Sequence, residues 1–269
     1  MGKCLVLNSW FLLLLPTCIF AQDTLKLEAT NFQVDPLNRL ILIEAQQGDT
    51  WCYDAKLDLL AYNQINVWGN ALQLDLNDPM KPLAFFPDVN RISLFDEMLS
   101  AAVEIDLDFL NLPNVQAVGS ASLGGFWVFS RDENKVLRIN QAGTRLYESS
   151  DLNFVLGGYP VVTSIRETDD RLILTTADGL VCVFDFFGYL DRKIQLDPSA
   201  LTAMDEGILY IYESNRLYAM DLSTKNPDRL FLTQFSAPLH AFAIKDGMFY
   251  ALYPDQLIRM PLDELIAQD

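Results

Sequence analysis

The stretch GLVCVFDFFGYLDRKIQL, residues 179–196, decides the fold, because altered forms of it recur along the chain. Its apolar run ends at Asp185, and the turn-like FFG leads into a second, more polar strand. A carboxylate in apolar surroundings is compatible with a catalytic or metal-binding site, and equally with a turn after a buried strand. If the same residue type recurs at a regular interval along the chain, the turn is favoured over a single site.

The Asp185 position returns in five other segments, WCYDAKL, ISLFDEML, VLRINQAG, LYAMDLST and LIRMPLDE. The equivalent residues are Asp54, Asp96, Asn140, Asp221 and Pro261, so the successive intervals along the chain are 42, 44, 45, 36 and 40 residues. A period of about 40–45 residues is typical of a β-propeller, in which each unit supplies one four-stranded blade. Residues at equivalent places around a ring lie too far apart to act on one substrate. We therefore predict that the side chains of Asp54, Asp96, Asn140, Asp185 and Asp221 bond backbone N–H groups in the turn after the third strand.

The second strand of each unit is a nearly continuous apolar run: RLILIE, PLAFF, GFWVFS, RLILTT, GILYIYE and GMFYALY. Such runs are expected when neighbouring blades cover both faces of a sheet. The prediction is an all-β fold, a single propeller of six four-stranded blades over residues 22–269. The last unit lacks a fourth strand, and we expect the N-terminal strand Thr24–Thr30 to complete it. Because the second unit, Asn70–Leu107, is irregular, five or seven blades remain alternatives.

The N-terminal sequence MGKCLVLNSWFLLLLPTCIFAQD predicts a signal peptide of residues 1–21. A lysine near the start precedes the apolar run Trp10–Phe20, and Ala21 is the small residue before the cleavage site. No later stretch is long and apolar enough to span a membrane. A lipid anchor at Cys18 is the rival, but the preceding LLPT fits a lipid-attachment signal poorly. We predict export to the periplasm or outer envelope.

The chain is acidic, with 36 Asp and Glu residues against 19 Lys and Arg residues and a formal net charge of −17. A surface of this sign repels the phosphate backbone of nucleic acids. It also opposes docking on anionic lipid. We therefore predict no nucleic-acid partner and expect the partner to be another envelope or secreted protein.

Candidates for chemistry are few. His240 is the only histidine, and its place at the start of the sixth inner strand makes it a candidate for the mouth of the central channel. Cys52 and Cys182 fall in the third strands of blades 1 and 4, so we expect two separate buried thiols and no disulfide. We predict no catalytic residue, no metal and no cofactor, while enzymatic activity remains an open alternative.

Three acidic residues, Glu104, Asp106 and Asp108, share one face of a predicted outer strand. Several oxygen ligands are what calcium prefers, but the spacing lacks the glycine and terminal glutamate of a calcium-binding loop. Exposure to solvent on an outer strand explains these acids without a metal.

The connections between blades, NQINVWGN, DFLNLPN, DLNFVLGGYP and FSAPL, are unusually apolar. They carry Trp68, Phe109, Leu112, Phe154, Tyr159 and Phe235. In a propeller these connections emerge on one face, and exposed aromatic clusters often mark protein interfaces. The alternative is that these side chains pack between blades and seal the ring. We predict that part of the set is exposed and binds a partner protein.

The mature chain resembles a family of exported β-propeller proteins of Bacteroidota. The matching stretches are IFAQD, FQVDPLNRLILIE, GGFWVFSRDENKVLRIN, DGLVCVFDFFG and NRLYAMDL, of which VFDFFG and GFWV are the most specific. At the level of the fold it is also similar to WD40 and YVTN propellers. The resemblance implies export and a propeller, and it implies no particular activity.

Two enzyme classes with this fold are poorly matched. Six-bladed lactonases and esterases hold calcium with acidic and amide side chains at the channel mouth. The inner strands here supply no set of carboxylates at their starts, which are Phe32, Asn70, Val115, Val161, Ala200 and Leu239. Quinoprotein dehydrogenases carry a tryptophan docking motif in each blade, and this chain lacks it. The predicted function is a non-enzymatic scaffold for protein–protein interaction. A channel-mouth hydrolase of the lactonase or esterase type, or a carbohydrate-binding propeller, is the alternative.

Overall fold

The structure is a computed structural model of the 269-residue chain. It describes residues 23–26, 29, 31–44, 48–65, 68, 73–159, 161–168, 171–185, 188–225 and 227–267. The predicted signal peptide lies outside these residues. Within them, no helix has the length and apolar character needed to cross a membrane.

The first half of the chain forms β1 and three blades. Strand β1 (Asp23–Lys26) precedes blade 1, which contains β2 (Asn31–Val34), β3 (Leu40–Ile43), β4 (Asp49–Tyr53) and β5 (Leu59–Gln64). Blade 2 contains β6 (Gln73–Asp75), β7 (Leu83–Phe86), a 3₁₀ turn (Pro87–Val89), β8 (Arg91–Phe95) and β9 (Ala101–Asp106). Blade 3 contains β10 (Val115–Ser120), β11 (Phe126–Ser130), β12 (Lys135–Ile139) and β13 (Arg145–Glu148).

The second half repeats this plan. Helix α1 (Asn153–Leu156) leads to blade 4, which contains β14 (Val162–Glu167), β15 (Arg171–Thr176), β16 (Leu180–Asp185) and β17 (Leu190–Gln195). Blade 5 contains β18 (Leu201–Asp205), β19 (Ile208–Glu213), β20 (Arg216–Asp221) and β21 (Leu230–Gln234). Blade 6 contains β22 (Ala241–Lys245), β23 (Met248–Leu252) and β24 (Gln256–Pro261), followed by helix α2 (Leu262–Ile266).

The predicted six-bladed propeller is confirmed, and the five- and seven-bladed alternatives are wrong. The described strands form six four-stranded antiparallel sheets. Strand β1 pairs with β24, from Asp23 opposite Arg259 to Lys26 opposite Gln256, and so supplies the fourth strand of blade 6. The ring is therefore closed by the N-terminal strand, and β24 has a partner at its outer edge.

Each second strand is buried on both faces, because its alternate residues enter two different clusters of apolar side chains. In β7, Leu83 and Phe85 pack into the cluster shared with blade 3. Ala84 and Phe86, on the opposite face, pack into the cluster shared with blade 1. Six such clusters lie between consecutive blades, including one between blade 6 and blade 1. The continuous apolar runs of the sequence therefore reflect blade-to-blade packing.

The turn-capping prediction for Asp185 and its counterparts is confirmed. Oδ1 of Asp54 accepts hydrogen bonds from the backbone N–H groups of Lys56 and Asp58, at 2.8 and 2.9 Å. Equivalent bonds from residues two or four positions further on are accepted by Asp96, Asn140, Asp185 and Asp221. These side chains set the turn between the third and fourth strands.

A second backbone device repeats at the turn between the second and third strands. In five blades this turn holds a left-handed residue with φ between 50° and 82°: Gly48, Asn90, Asn134, Gly179 and Asn215. Glycine and asparagine tolerate this conformation best. The carbonyl of each accepts a hydrogen bond from the N–H of a residue just beyond the outer strand, namely Ile65, Leu107, Leu152, Leu196 and Phe235. Each connection between blades is thereby fixed at its start.

Glutamine side chains of the inner strands bridge consecutive blades. Gln33 of blade 1 donates through Nε2 to the carbonyl of Leu74 in blade 2. Gln73 of blade 2 donates to the carbonyl of Gln116 at 2.7 Å. Oε1 of Gln116 in turn accepts from the N–H of Val162 in blade 4, at 3.0 Å. The inner strands are therefore joined by side-chain hydrogen bonds as well as by apolar packing.

Two buried carboxylates at the ends of inner strands also form hydrogen bonds to the next blade. Oδ2 of Asp75 accepts from the N–H of Ser120 in the next blade at 2.9 Å. Burial raises the pKa of Asp75, and its bonds from backbone N–H groups oppose that rise. Asp205 accepts from Lys245 Nζ at 3.0 Å and from the N–H of Asp246 at 2.9 Å, both in blade 6. These acids stabilise blade boundaries.

Gly119 lies at a close approach of the inner strands β10 and β14, and we predict that Gly119→Ala destabilises the fold. An added Cβ would lie 2.4 Å from the carbonyl oxygen of Ile165 in β14, so blades 3 and 4 would have to separate. The expected loss in the free energy of unfolding is about 2–3 kcal/mol, measured by urea denaturation. The matched control, Thr202→Ala on the exposed face of β18, should change it by less than about 0.5 kcal/mol. A Gly119→Ala variant as stable as the parent would contradict this close approach.

Candidate functional site

The six apolar residues predicted in the connections divide into two groups. Phe109, Phe154 and Tyr159 are exposed, at 86%, 96% and 69% of their maximal surface. Phe109 lies in the connection from blade 2 to blade 3, and the other two lie in the connection from blade 3 to blade 4. All three therefore lie on the face from which the connections between blades emerge.

The other three residues pack between blades. Leu112 is only 1% exposed and belongs to the cluster between blades 2 and 3. Trp68 is packed against the cluster between blades 1 and 2, with the Arg91 guanidinium 4.7 Å from its ring centre. Phe235 stacks on Phe249, with ring centroids 5.5 Å apart. For these residues the ring-sealing alternative describes the observed packing, so the exposed aromatic patch consists of Phe109, Phe154 and Tyr159.

The structure does not gather the remaining candidates into one site. His240 is exposed just before β22, and its backbone N–H donates to the carbonyl of Leu252 at 2.8 Å. Glu104 and Asp106 lie on the outer strand β9 beside Arg91, with N–O distances of 3.5 and 3.4 Å. Asp108 accepts from Asn90 Nδ2. Within the described ranges, no group of three His, Cys, Asp or Glu side chains is arranged to hold a metal ion.

A cavity of about 260 Å³ lies between blades 3 and 4, and we call it the blade 3–4 cavity. Its apolar wall consists of Trp127, Val136, Leu152, Leu172 and Phe184. Leu123 and Leu146 lie at its rim and are largely exposed, so the cavity opens to solvent. A second cavity, between blades 1 and 2, is much smaller, with a volume of about 10 Å³. The blade 3–4 cavity is therefore large enough for a small molecule, whereas the second is not.

Blade 3 presents a cross-strand row of side chains to this cavity. Trp127 of β11 is directly opposite Arg138 of β12, which is opposite Tyr147 of β13. The Trp127 and Tyr147 rings meet edge-on, with centroids 5.6 Å apart. The Tyr147 hydroxyl lies against Gly188 of blade 4, where an added Cβ would collide with it. Burial raises the pKa of Tyr147, and the nearby Asp185 carboxylate adds to that effect.

Most polar groups around the cavity already have partners. Glu167 accepts from the Ser122 N–H, the Ser122 hydroxyl and Trp127 Nε1, at 2.7, 2.8 and 2.9 Å. Arg171 donates to Asp191 at 2.9 Å. Arg138 differs: its Nη2 donates to the carbonyl of Gly124 at 3.2 Å, but its buried Nε has no hydrogen-bond partner in the described part of the chain. An unpaired buried donor costs free energy, and the Nε atoms of Arg91 and Arg259 are in the same state. Of these three arginines, Arg138 is the one that lines the cavity.

Sequence reasoning missed Arg138, although the repeat contains the signal that identifies it. Arg138 lies two residues before Asn140, and the equivalent positions before the other turn residues hold Cys52, Leu94, Val183, Ala219 and Arg259. The first four of these, Cys52, Leu94, Val183 and Ala219, pack in the apolar clusters between blades. Arg259 also reaches across its boundary, donating to the Ala55 carbonyl of blade 1. Arg138 faces a cavity instead, and its hydrogen bond to the Gly124 carbonyl remains within blade 3.

No family model matches the chain, and no curated protein matches it. Solved structures do match. A streptogramin B lyase has a TM-score of 0.54 and 13% identity, covering 85% of this chain and 77% of that one. A catalytically inactive virginiamycin B lyase from Staphylococcus aureus with quinupristin has a TM-score of 0.55 and 12% identity, with 85% and 78% covered. Selenomethionine-substituted virginiamycin B lyase from S. aureus has a TM-score of 0.54 and 13% identity, covering 88% of this chain and 98% of that one. At such identities the likeness shows the propeller fold alone.

Cys52 and Cys182 are separate buried thiols, as predicted, and we expect neither to react in the folded protein. Cys52 packs between blades 1 and 2, and Cys182 packs between blades 3 and 4. Burial raises the pKa of Cys182 to about 11, so its thiol stays protonated at pH 8. Iodoacetamide at pH 8 should leave both cysteines unmodified by peptide mass mapping, and should modify both in denaturant. Modification of either one in the native protein would contradict this.

Proposed function

We propose that the chain is a non-enzymatic, exported propeller that binds another protein of the cell envelope through the exposed aromatic patch. The observation that carries this proposal is the exposure of Phe109, Phe154 and Tyr159 on one face. In the same connections Leu112, Leu152 and Leu156 are buried. Aromatic residues dominate the energetics of protein interfaces, and leaving such side chains in water opposes the hydrophobic effect. A partner that covers them removes this unfavourable exposure.

The patch is held on fixed backbone. The loop that bears Phe109 ends at Asn114, whose side chain donates to Asp132 Oδ1 at 2.9 Å. The segment that bears Phe154 begins at Asp151, which accepts from Asn134 Nδ2 at 2.9 Å. Asp132 and Asn134 belong to one turn of blade 3, so the two connections flank the same turn. Rings presented on such anchored loops lose little freedom on binding, which favours affinity.

The charge around the patch indicates the chemistry of the partner. Asp108, Asp132 and Asp151 accompany the aromatic residues in the two connections and the turn between them, where Arg131 is the basic residue. Glu133 of that turn is paired with Arg145. Bonds from the Asn134 and Asn153 side chains and from the Asn153 backbone lower the pKa of Asp151, so its carboxylate is ionised at neutral pH. The complementary surface is an apolar pocket with a basic rim.

The export and envelope parts of the proposal rest on the N-terminal sequence and on the resemblance to exported propellers of Bacteroidota. The hydrolase alternative centred on His240 has less support, since His240 is exposed and is not joined by a cluster of acids or thiols among the described residues. The lyase names apply to those proteins only, and they supply no residue role for this chain.

The experiment places a photo-crosslinking amino acid at position 154 or, as a matched control, at position 189. Tyr189 is also largely exposed, but it lies in a turn between third and fourth strands on the opposite face. Envelope fractions of the native source should give a discrete crosslinked partner from position 154 and not from position 189. The partner is then purified for binding measurements.

The triple variant Phe109→Ser, Phe154→Ser, Tyr159→Ser should weaken binding of that partner by about a hundredfold or more, because each ring is a candidate hot spot. The control pair Met98→Ser, Tyr189→Ser, both on the opposite face, should leave the Kd unchanged. Both variants should keep the parental melting temperature, since all five side chains are exposed. Equal affinity of the triple variant and the parent would exclude the aromatic patch as the docking surface.

A further inference from the structure

The blade 3–4 cavity interrupts a boundary that is otherwise packed with apolar side chains. Its volume of about 260 Å³ lies just below the range of about 300–1,000 Å³ for drug-sized ligands. An occupant is therefore no larger than one or two rings with a short substituent. The indole of Trp127 is fixed by its bond to Glu167, so this wall is preformed.

The guanidinium of Arg138, which lines the cavity, indicates what the polar end of the occupant is. A guanidinium is a planar array of N–H groups suited to a carboxylate, and charge-assisted bonds of this kind are stronger than neutral ones. A carboxylate bound in the cavity would pair with this group.

The other charges of the lining limit the occupant to one negative charge. Glu167, Asp185 and Arg171 also line the cavity. The Arg171 guanidinium is paired with Asp191 at 2.9 Å, and the two carboxylates oppose a second anionic group. Glu167 is already bonded to Ser122 and Trp127, and Asp185 accepts from the Tyr189 N–H, so both are held in place. A phosphate dianion is disfavoured for this reason, whereas a monocarboxylate needs only the charge of the Arg138 guanidinium.

We propose that the blade 3–4 cavity is a binding site for a small, largely apolar monocarboxylate, whose carboxylate pairs with Arg138 and whose body lies against Trp127, Leu172 and Phe184. This site is distinct from the aromatic patch and does not depend on the protein-binding role. It also lies between two blades, away from the channel mouth for which His240 is the candidate.

The test uses 3-phenylpropanoate as the probe, with 3-phenylpropanamide and 3-phenylpropylamine as its neutral and cationic matches. Binding is followed by tryptophan fluorescence, with Trp127→Phe identifying the contribution of Trp127, and by titration calorimetry. The carboxylate should bind saturably with a Kd below about 1 mM, and the amide and amine at least about tenfold more weakly. Absence of saturable binding, or equal binding of the three probes, would overturn the proposal.

Two variants locate the contact. Arg138→Met keeps the aliphatic stem and should weaken 3-phenylpropanoate binding by about tenfold or more. Arg216→Met removes the same charge from an exposed position in blade 5 and should match the parent. Equal weakening by both variants would show a general charge effect and would overturn the proposal.

If Arg138→Met does not fold, a second variant that fills the cavity still tests the proposal. Leu172→Trp places a larger side chain in the cavity and should abolish binding of the carboxylate, with its melting curve confirming a folded chain. Persistent binding to this variant would place the probe elsewhere. The comparison of the three probes on the parent protein requires no variant.

Discussion

The burial of each second strand on both faces is the constraint on which the rest of the structure depends. Leu83 and Phe85 face one neighbouring blade while Ala84 and Phe86 face the other, and the same alternation recurs around the ring. Because both faces are apolar, a one-residue slip would cost little hydrophobic burial, so the pattern alone sets register weakly. The turns must supply it. This explains why the capping side chains and the left-handed glycines and asparagines are the most regular features of the repeat.

A ring whose blades cover one another has few places left for binding. The loop face is one, and the anchored connections around blade 3 display three aromatic rings there. An imperfectly filled blade boundary is the other, and the boundary between blades 3 and 4 contains both a cavity and an unpaired arginine donor. Both features belong to blade 3, which keeps the common strand plan while departing from the common apolar filling.

The sequence predicted the features that repeat. Blade number, the closing strand β1, the role of Asp185 and the separation of Cys52 from Cys182 all follow from register along the chain. The exposure of individual side chains could not be predicted from the repeat. Phe109 and Leu112 lie in the same connection, yet Phe109 is exposed to water and Leu112 is buried in the core. That outcome depends on side-chain direction across a blade boundary. The cavity was missed for a related reason, since it requires knowing that Arg138 and Leu172, far apart in sequence, face each other.

On the proposal above, Arg138 serves binding and not the fold. Its replacement by leucine, the residue at the equivalent position of blade 2, tests this through the free energy of unfolding in urea. Removing a buried donor without a partner relieves its desolvation cost, which offsets loss of the bond to Gly124. We expect Arg138→Leu to be as stable as the parent or more stable. A loss of more than about 1 kcal/mol, the net value of a typical structural hydrogen bond, would contradict it.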